Sequence, residues 1–299
     1  MRRFLLTMVV LSLVGSIVIG QGLKPYIMGA QSSESLDVAK TKTTKSLMAA
    51  GFTILGSYQP AADETRWVII VNSTEMVEAI QAFGELTGFA AALRVGLTLE
   101  SGKVNISYTN PIYLGNAYFQ KNYPEVEDKF VAVAGNLLAA MAELGEVKNE
   151  SFGSLEGITP KKLAHFHYTI GMPYFEDVVL LTEFSKYSVG KSIIESKLSK
   201  GGDTELIYAY EIPGQELKIY GIALGGEAGE SHFLPIIDLG QPKHTSSLPY
   251  EILLMGKTAV MMHGRYRIAL SFPDLSMTTF SKIMSTPGEI EDLMRSVTE

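Results

Sequence analysis

Residues 264–273 read GRYRIALSFP, and residues 102–111 read GKVNISYTNP. Both begin with Gly and a basic residue, carry Ile four places after the Gly and close on Pro. Gly102/Gly264, Lys103/Arg265, Ile106/Ile268 and Pro111/Pro273 therefore share one spacing of 162 residues. Beyond each Pro, Glu125-Val126-Glu127-Asp128 is answered by Glu289-Ile290-Glu291-Asp292 at a spacing of 164. In both stretches a glycine turn leads into alternating apolar residues, which predicts the second strand of a hairpin. The recurrence predicts an internal duplication.

Working outward, each half reads as the same programme. Residues 36–51 predict a helix stopped by Gly51, residues 52–58 and 67–71 predict strands, and residues 74–86 predict a helix with Ser73 as N-cap. Residues 91–99 and 104–108 flank a hairpin turn, and Asn110-Pro111 starts a helix. A longer helix is expected over 124–144. In the second half, residues 165–170 and 177–184 predict extra strands, and 189–200 a helix matching the first at a spacing of 151. Strands follow at 205–212 and 217–224. Residues 225–247 read as an insertion of about eleven residues without a helix, since the spacing grows from 151 to 162. A meander is then expected at 250–254, 259–263 and 266–272, with two short helices closing the chain. Hairpin-linked strands with helices on one face define an α+β class: two similar domains, each a mostly antiparallel sheet. The expected boundaries are 36–145 and 161–299, with 146–160 as linker.

The 299 residues are 46% hydrophobic and 19% charged, enough for two cores. A net charge of −7 argues against a nucleic-acid partner, which requires a basic face. The absence of cysteine excludes disulfides, thiolate metal sites and a cysteine nucleophile. Arg2 and Arg3 precede an uncharged, mostly apolar run at 4–20. Residues 1–30 are thus expected to be a signal peptide, or an N-terminal anchor. The location that follows is the cell envelope, periplasmic or secreted, or a single-pass membrane protein with its C-terminal part outside the cytoplasm.

Three groups of residues could carry chemistry. Asn110, Tyr113 and Asn116, with Tyr118, follow the first hairpin, and Arg94, Arg265 or Arg267 could add charge to a small-ligand pocket there. The structural alternative makes Asn110 a cap, packs the tyrosines and leaves the arginines on strand edges. His165 and His167 would share one side of a strand, and His263 beside Met261 and Met262 adds soft ligands, a weak metal set. The Ser185–Ser192 stretch lacks the first glycine of a phosphate-binding loop, so no nucleotide site is expected. The acidic quartets fit helix starts, and no nucleophile elbow, zinc-protease or dinucleotide-binding signature occurs.

The run Leu93-Arg94-Val95-Gly96-Leu97-Thr98, through Gly102-Lys103-Val104 to Asn110-Pro111-Ile112-Tyr113-Leu114, resembles a small bacterial family, number three hundred and two in the domain-of-unknown-function series. The second half looks like a more distant copy, in which Leu248-Pro249-Tyr250-Glu251 leads into GRYRIALSFP without a counterpart of Arg94. The resemblance implies a compact α+β fold that often pairs into dimers, and it implies no reaction. The two copies would then pair within one chain, as an intramolecular pseudo-dimer, with a homodimer as the other possibility. The functional expectation is a non-catalytic binding or assembly protein with an unknown small-molecule or protein partner and no cofactor. Two alternatives stay open: a periplasmic metal or haem binding protein, and an enzyme with its site between the domains. An uncleaved leader would also give it a membrane contact.

Overall fold

The computed structural model describes residues 22–299. Its first half holds β1 (Tyr26–Ser32), α1 (Leu36–Ala49), β2 (Thr53–Tyr58), β3 (Arg66–Asn72) and α2 (Thr74–Phe83). There follow β4 (Leu93–Glu100), β5 (Lys103–Thr109), α3 (Pro111–Phe119), α4 (Glu127–Met141) and β6 (Glu146–Phe152). After a one-turn helix, α5 (Pro160–Leu163), the second half runs β7 (Val179–Glu183), α6 (Tyr187–Leu198), β8 (Thr204–Glu211) and β9 (Leu217–Leu224). It continues with α7 (Glu230–Ile237), β10 (Tyr250–Met255), β11 (Thr258–Met261), α8 (Gly264–Ser271), α9 (Met277–Phe280) and α10 (Thr286–Thr298).

All pairings are antiparallel, in a six-stranded sheet ordered β2-β3-β4-β5-β1-β6 and a five-stranded sheet ordered β8-β9-β10-β11-β7. Leaving β6 aside, the two orders are the same. The likeness extends to irregularities. Gly29 in β1 and Leu181 in β7 each stand in a register shift, as do Leu55 in β2 and Ile207 in β8. Both pairs are 152 residues apart. A bulge is a local, sequence-specific device, so two recurring at one spacing mark the same strand frame twice. The fold is α+β, with two similar antiparallel units.

Each sheet lays one face on its own helices. Phe130, Val133, Leu137, Ala140 and Met141 recur at helical spacing along α4, are buried, and belong to the core that α1 and α4 close over β1 and β4. Burying each such Leu or Phe is worth roughly 1.5–3 kcal/mol. In the second half α6 and α10 cover β7 and β10. The other face of each sheet turns to the opposite half. There β2 runs against β8, and the Gly56 backbone sits so close to the Ile207 carbonyl that a Cβ would collide with it. Gly56 is required by that approach.

Several expectations are corrected. GRYRIALSFP is not a strand: it is α8, in which Tyr266, Arg267, Ile268, Ala269 and Leu270 are all buried. The alternation was misleading because this helix is buried except at Arg265 and, in part, Ser271, so even Arg267 is interior. Its counterpart is α3, not β5. Matched elements are then 151–153 residues apart through α1/α6, the bulges and α3/α8, and the expected insertion at 225–247 disappears. That segment instead contains α7, in the place that α2 takes in the first half. The expected linker 146–160 begins with β6, an edge strand whose mostly exposed polar side chains hid its pairing with β1. Residues 165–170 form turns and irregular backbone, and β7 is no extra strand but the counterpart of β1. The leader expected over 1–30 overlaps β1, which is hydrogen-bonded on both edges; its earlier part, through residue 21, lies outside the described residues. Among the described residues no helix is long and apolar enough to cross a membrane.

Candidate site at the junction of the halves

The strand pairings place Tyr208, Gly221 and Glu251 in one row across β8, β9 and β10. Gly221 has no side chain, so the Tyr208 ring lies directly over it, toward Glu251; a Cβ there would overlap the ring. From the first half, alternation along β4 points Arg94, Gly96 and Thr98 to the same junction. Gly96 N donates to Ser246 Oγ at 3.0 Å, and the hydroxyls of Thr98 and Thr245 are 2.6 Å apart. Arg94 reaches through this seam to Glu251 by its Nη2.

Arg267, from α8, closes on Glu251 from the other side, its Nε 3.5 Å from the carboxylate. Its Nη2 donates to the carbonyls of Ser247 at 2.8 Å and Pro249 at 2.5 Å. The guanidinium carbon stands 3.7 Å from the Tyr250 ring centre, a cation–π contact. The side chains of Arg94, Arg267 and Glu251 are 5%, 7% and 1% exposed, so two cations face one anion out of water. Arg94 Nη1 donates to Ala92 O at 3.4 Å, but among the described residues its Nε–H has no partner.

Beside this triad is a cavity of about 20 Å³, room for roughly one water-sized occupant, lined by Arg94, Arg267, Tyr26, Tyr113, Tyr118 and Thr109, among others. Tyr113 and Tyr26 donate to the carbonyls of Leu270 (2.9 Å) and Ser271 (3.0 Å), which ties the first half to α8. Tyr118 stacks on Phe175 with ring centres 5.1 Å apart. Burial raises the Tyr118 phenol, and the two arginines oppose that rise. Among the described residues the buried hydroxyls of Tyr208 and Tyr266 find no partner. Burial pushes Tyr208 up to about 12, again against both arginines.

Two further contacts seal the junction. Arg66 Nη1 donates to Asp238 at 2.5 Å, and that carboxylate also accepts the His244 N–H. Glu230, the first residue of α7, accepts from the Tyr58 hydroxyl and from Ala61 N, each at 2.9 Å. Burial raises its carboxyl to about 7 despite those donors and the charge of Arg267. Ala61 and Ala62 hold φ of 57° and 52°, a left-handed turn that the Glu230 contact pins in place.

Of the residues singled out from sequence, Arg94, Tyr113 and Arg267 come together here. Asn110 is a cap, its Oδ1 accepting from Ile112 N at 3.1 Å, and Asn116 donates to Ile112 O within α3. Arg265 is exposed on α8, beside a separate apolar crevice. His263 caps α8 by accepting Arg265 N at 3.2 Å; burial, then the neighbouring Arg265 charge, holds its pKa down, which keeps the ring neutral and able to accept. His165 and His167 lie outside any strand, and the His167 ring packs on Tyr174. Among the described residues no group of three or more His, Asp or Glu could hold a metal ion. The reading from sequence did not single out Glu251, Tyr208 or Glu230. The signal for Glu251 was present: one carboxylate inside the otherwise apolar strand YEILLM.

The geometry defines an α+β protein of two like units with a charged, tyrosine-lined junction between them. A crystal structure described as an uncharacterized conserved DUF302 protein from Bacillus stearothermophilus aligns with 38% of this chain and 94% of its own, at 15% identity and a TM-score of 0.34. No protein-family model matches the sequence, and no curated protein matches it either.

Proposed function

We propose that the protein is a non-catalytic binding or assembly module of the cell envelope, working through the junction of its halves. The observation that carries this reading is the gathering, in one interior region, of polar groups without partners: Arg94 Nε and the hydroxyls of Tyr208 and Tyr266. Buried donors of this kind ordinarily find a partner, and several left together are a place where a bound component completes the set. The shared strand order and the two shared bulges support descent from a tandem duplication, with the halves paired as two subunits would be. The basic start and apolar run of residues 2–20 support export or tethering.

Native mass spectrometry of the full chain, purified from its own envelope, tests the reading together with elemental analysis. A bound component that protects α3, β10 and α8 from hydrogen exchange is the expected result. A bare mass with no such protection abandons it. Stoichiometric iron or copper would replace it with the metal or haem carrier.

A further inference from the structure

The crevice beside the triad narrows what that component is; the inference rests on the reading of the junction as a binding site and concerns its ligand. Charge is the first constraint. Arg94 and Arg267 bring two fixed positive charges and Glu251 returns one negative charge, so one positive charge stands uncompensated out of water. Two other buried carboxyls at the junction are already engaged: Asp238 by Arg66, and Glu230 by Tyr58 and the Ala61 N–H. Donors are the second constraint. Arg267 uses Nη2 on the carbonyls of Ser247 and Pro249 and turns Nε to Glu251, whereas among the described residues its Nη1 donates to nothing. The guanidinium is thereby held against Ser247, whose own hydroxyl is buried without a partner. Arg267 and Ser247 both line the crevice, and each is only 6% exposed. Pro25, Leu114 and Leu270 give the same space carbon walls, and the Tyr26 and Tyr113 hydroxyls there already donate to carbonyls of α8.

We propose that this crevice binds the carboxylate end of a small monocarboxylic acid, Arg267 Nη1 donating to one oxygen and the Ser247 hydroxyl, turned about its χ1, to the other. Among oxyanions the charge decides. A carboxylate carries one negative charge and matches the one left over at the triad, whereas a phosphate monoester carries about −1.5 to −2 and would set excess negative charge beside Glu251. Two donors on neighbouring groups also suit a pair of oxygens, as charge-assisted recognition of carboxylates commonly does. The crevice is partly open, so the body of the acid extends toward solvent along the carbon surface of Pro25, Leu114 and Leu270.

The probes are acetate, butyrate and benzoate, each replacing chloride at constant ionic strength while calorimetry and thermal unfolding of the full chain are followed. A saturable rise in Tm is expected with at least one of them. Butyramide and benzamide keep the shape, lose the charge and should give none. Ser247→Ala removes a hydroxyl without a partner, so the free chain should unfold at nearly the same temperature while the acid binds about tenfold more weakly. Hydrogen exchange locates the site without any substitution: saturation with the acid should slow exchange in α8. No change with any of the three acids, amides or phosphate acting as strongly as the acids, an affinity unmoved by Ser247→Ala, or protection that leaves out α8 overturns the assignment. If the chain from its own envelope nevertheless carries some other component at the junction, the ligand assignment falls and the binding reading stands; if it carries none, both fall.

Discussion

Arg94 of β4 and Glu251 of β10 meet across the junction, one from each half, and each is nearly sealed from solvent. The contact is therefore inter-unit and interior at once, and its energetics follow those of a buried pair. Glu251→Ala leaves two guanidiniums unpaired and is expected to cost about 3–5 kcal/mol in urea unfolding. The exposed pair Lys42–Glu34, cut by Lys42→Ala, should change stability by less than about 1 kcal/mol. Similar losses for the two variants would contradict this account.

Gly221 and Tyr208 give a separable pair of outcomes. Gly221→Ala drives the ring off its seat and should destabilise by roughly 1–3 kcal/mol, as overpacking does. Tyr208→Phe removes a hydroxyl with no partner and should be neutral or stabilising. Both are read from denaturant midpoints. A large loss from Tyr208→Phe would show that the hydroxyl is engaged.

The caps Asn110 and His263 act at matching places, each accepting the N–H two residues ahead at the start of α3 and α8. His263→Asn should keep the cap and leave stability nearly unchanged, whereas His263→Ala should cost about 1 kcal/mol. Equal effects of the two substitutions in thermal unfolding would remove the capping role.

Glu230 predicts a pH dependence. Its carboxyl is raised from 4.5 to about 7 in the folded chain, so the native state holds the proton that the unfolded chain gives up earlier. The stability it contributes is complete below about 4.5 and is lost as pH rises through about 7, a change of up to about 3 kcal/mol. Glu230→Gln, which mimics the protonated carboxyl, should flatten that slope in urea midpoints taken across this range. A slope unchanged in the variant would place its origin elsewhere.

Much of the frame was legible in the chain itself. Ser73 signalled the start of α2, Asn110-Pro111 that of α3, and the Gly102 turn the β4–β5 hairpin. The likeness of the two halves was legible too, but its register was misread, because Gly-basic-x-x-Ile recurs once in a strand and once in a helix. Period two and period 3.6 separate only when one face is wet, and in α8 Arg265 alone is fully exposed, too little to mark a face. β6 was missed for the opposite reason: it has almost no buried face to leave a pattern. At the site, Arg94, Tyr113 and Arg267 stood out as charged or hydrogen-bonding residues in apolar surroundings. Their convergence did not, since Arg94 and Arg267 lie 173 residues apart and meet only through the way one sheet is laid against the other.

The bulge-to-bulge approach at Gly56 and Ile207, with the ion pairs and hydroxyl contacts beside it, bears on how such a molecule could work. A clamshell protein opens by swinging its lobes apart about a loose seam. Here any such swing would part Arg66 from Asp238, Arg94 from Glu251 and Glu230 from Tyr58 together. An occupant would therefore enter by the crevice that the closed halves leave beside Arg94 and Arg267, with no hinge motion needed.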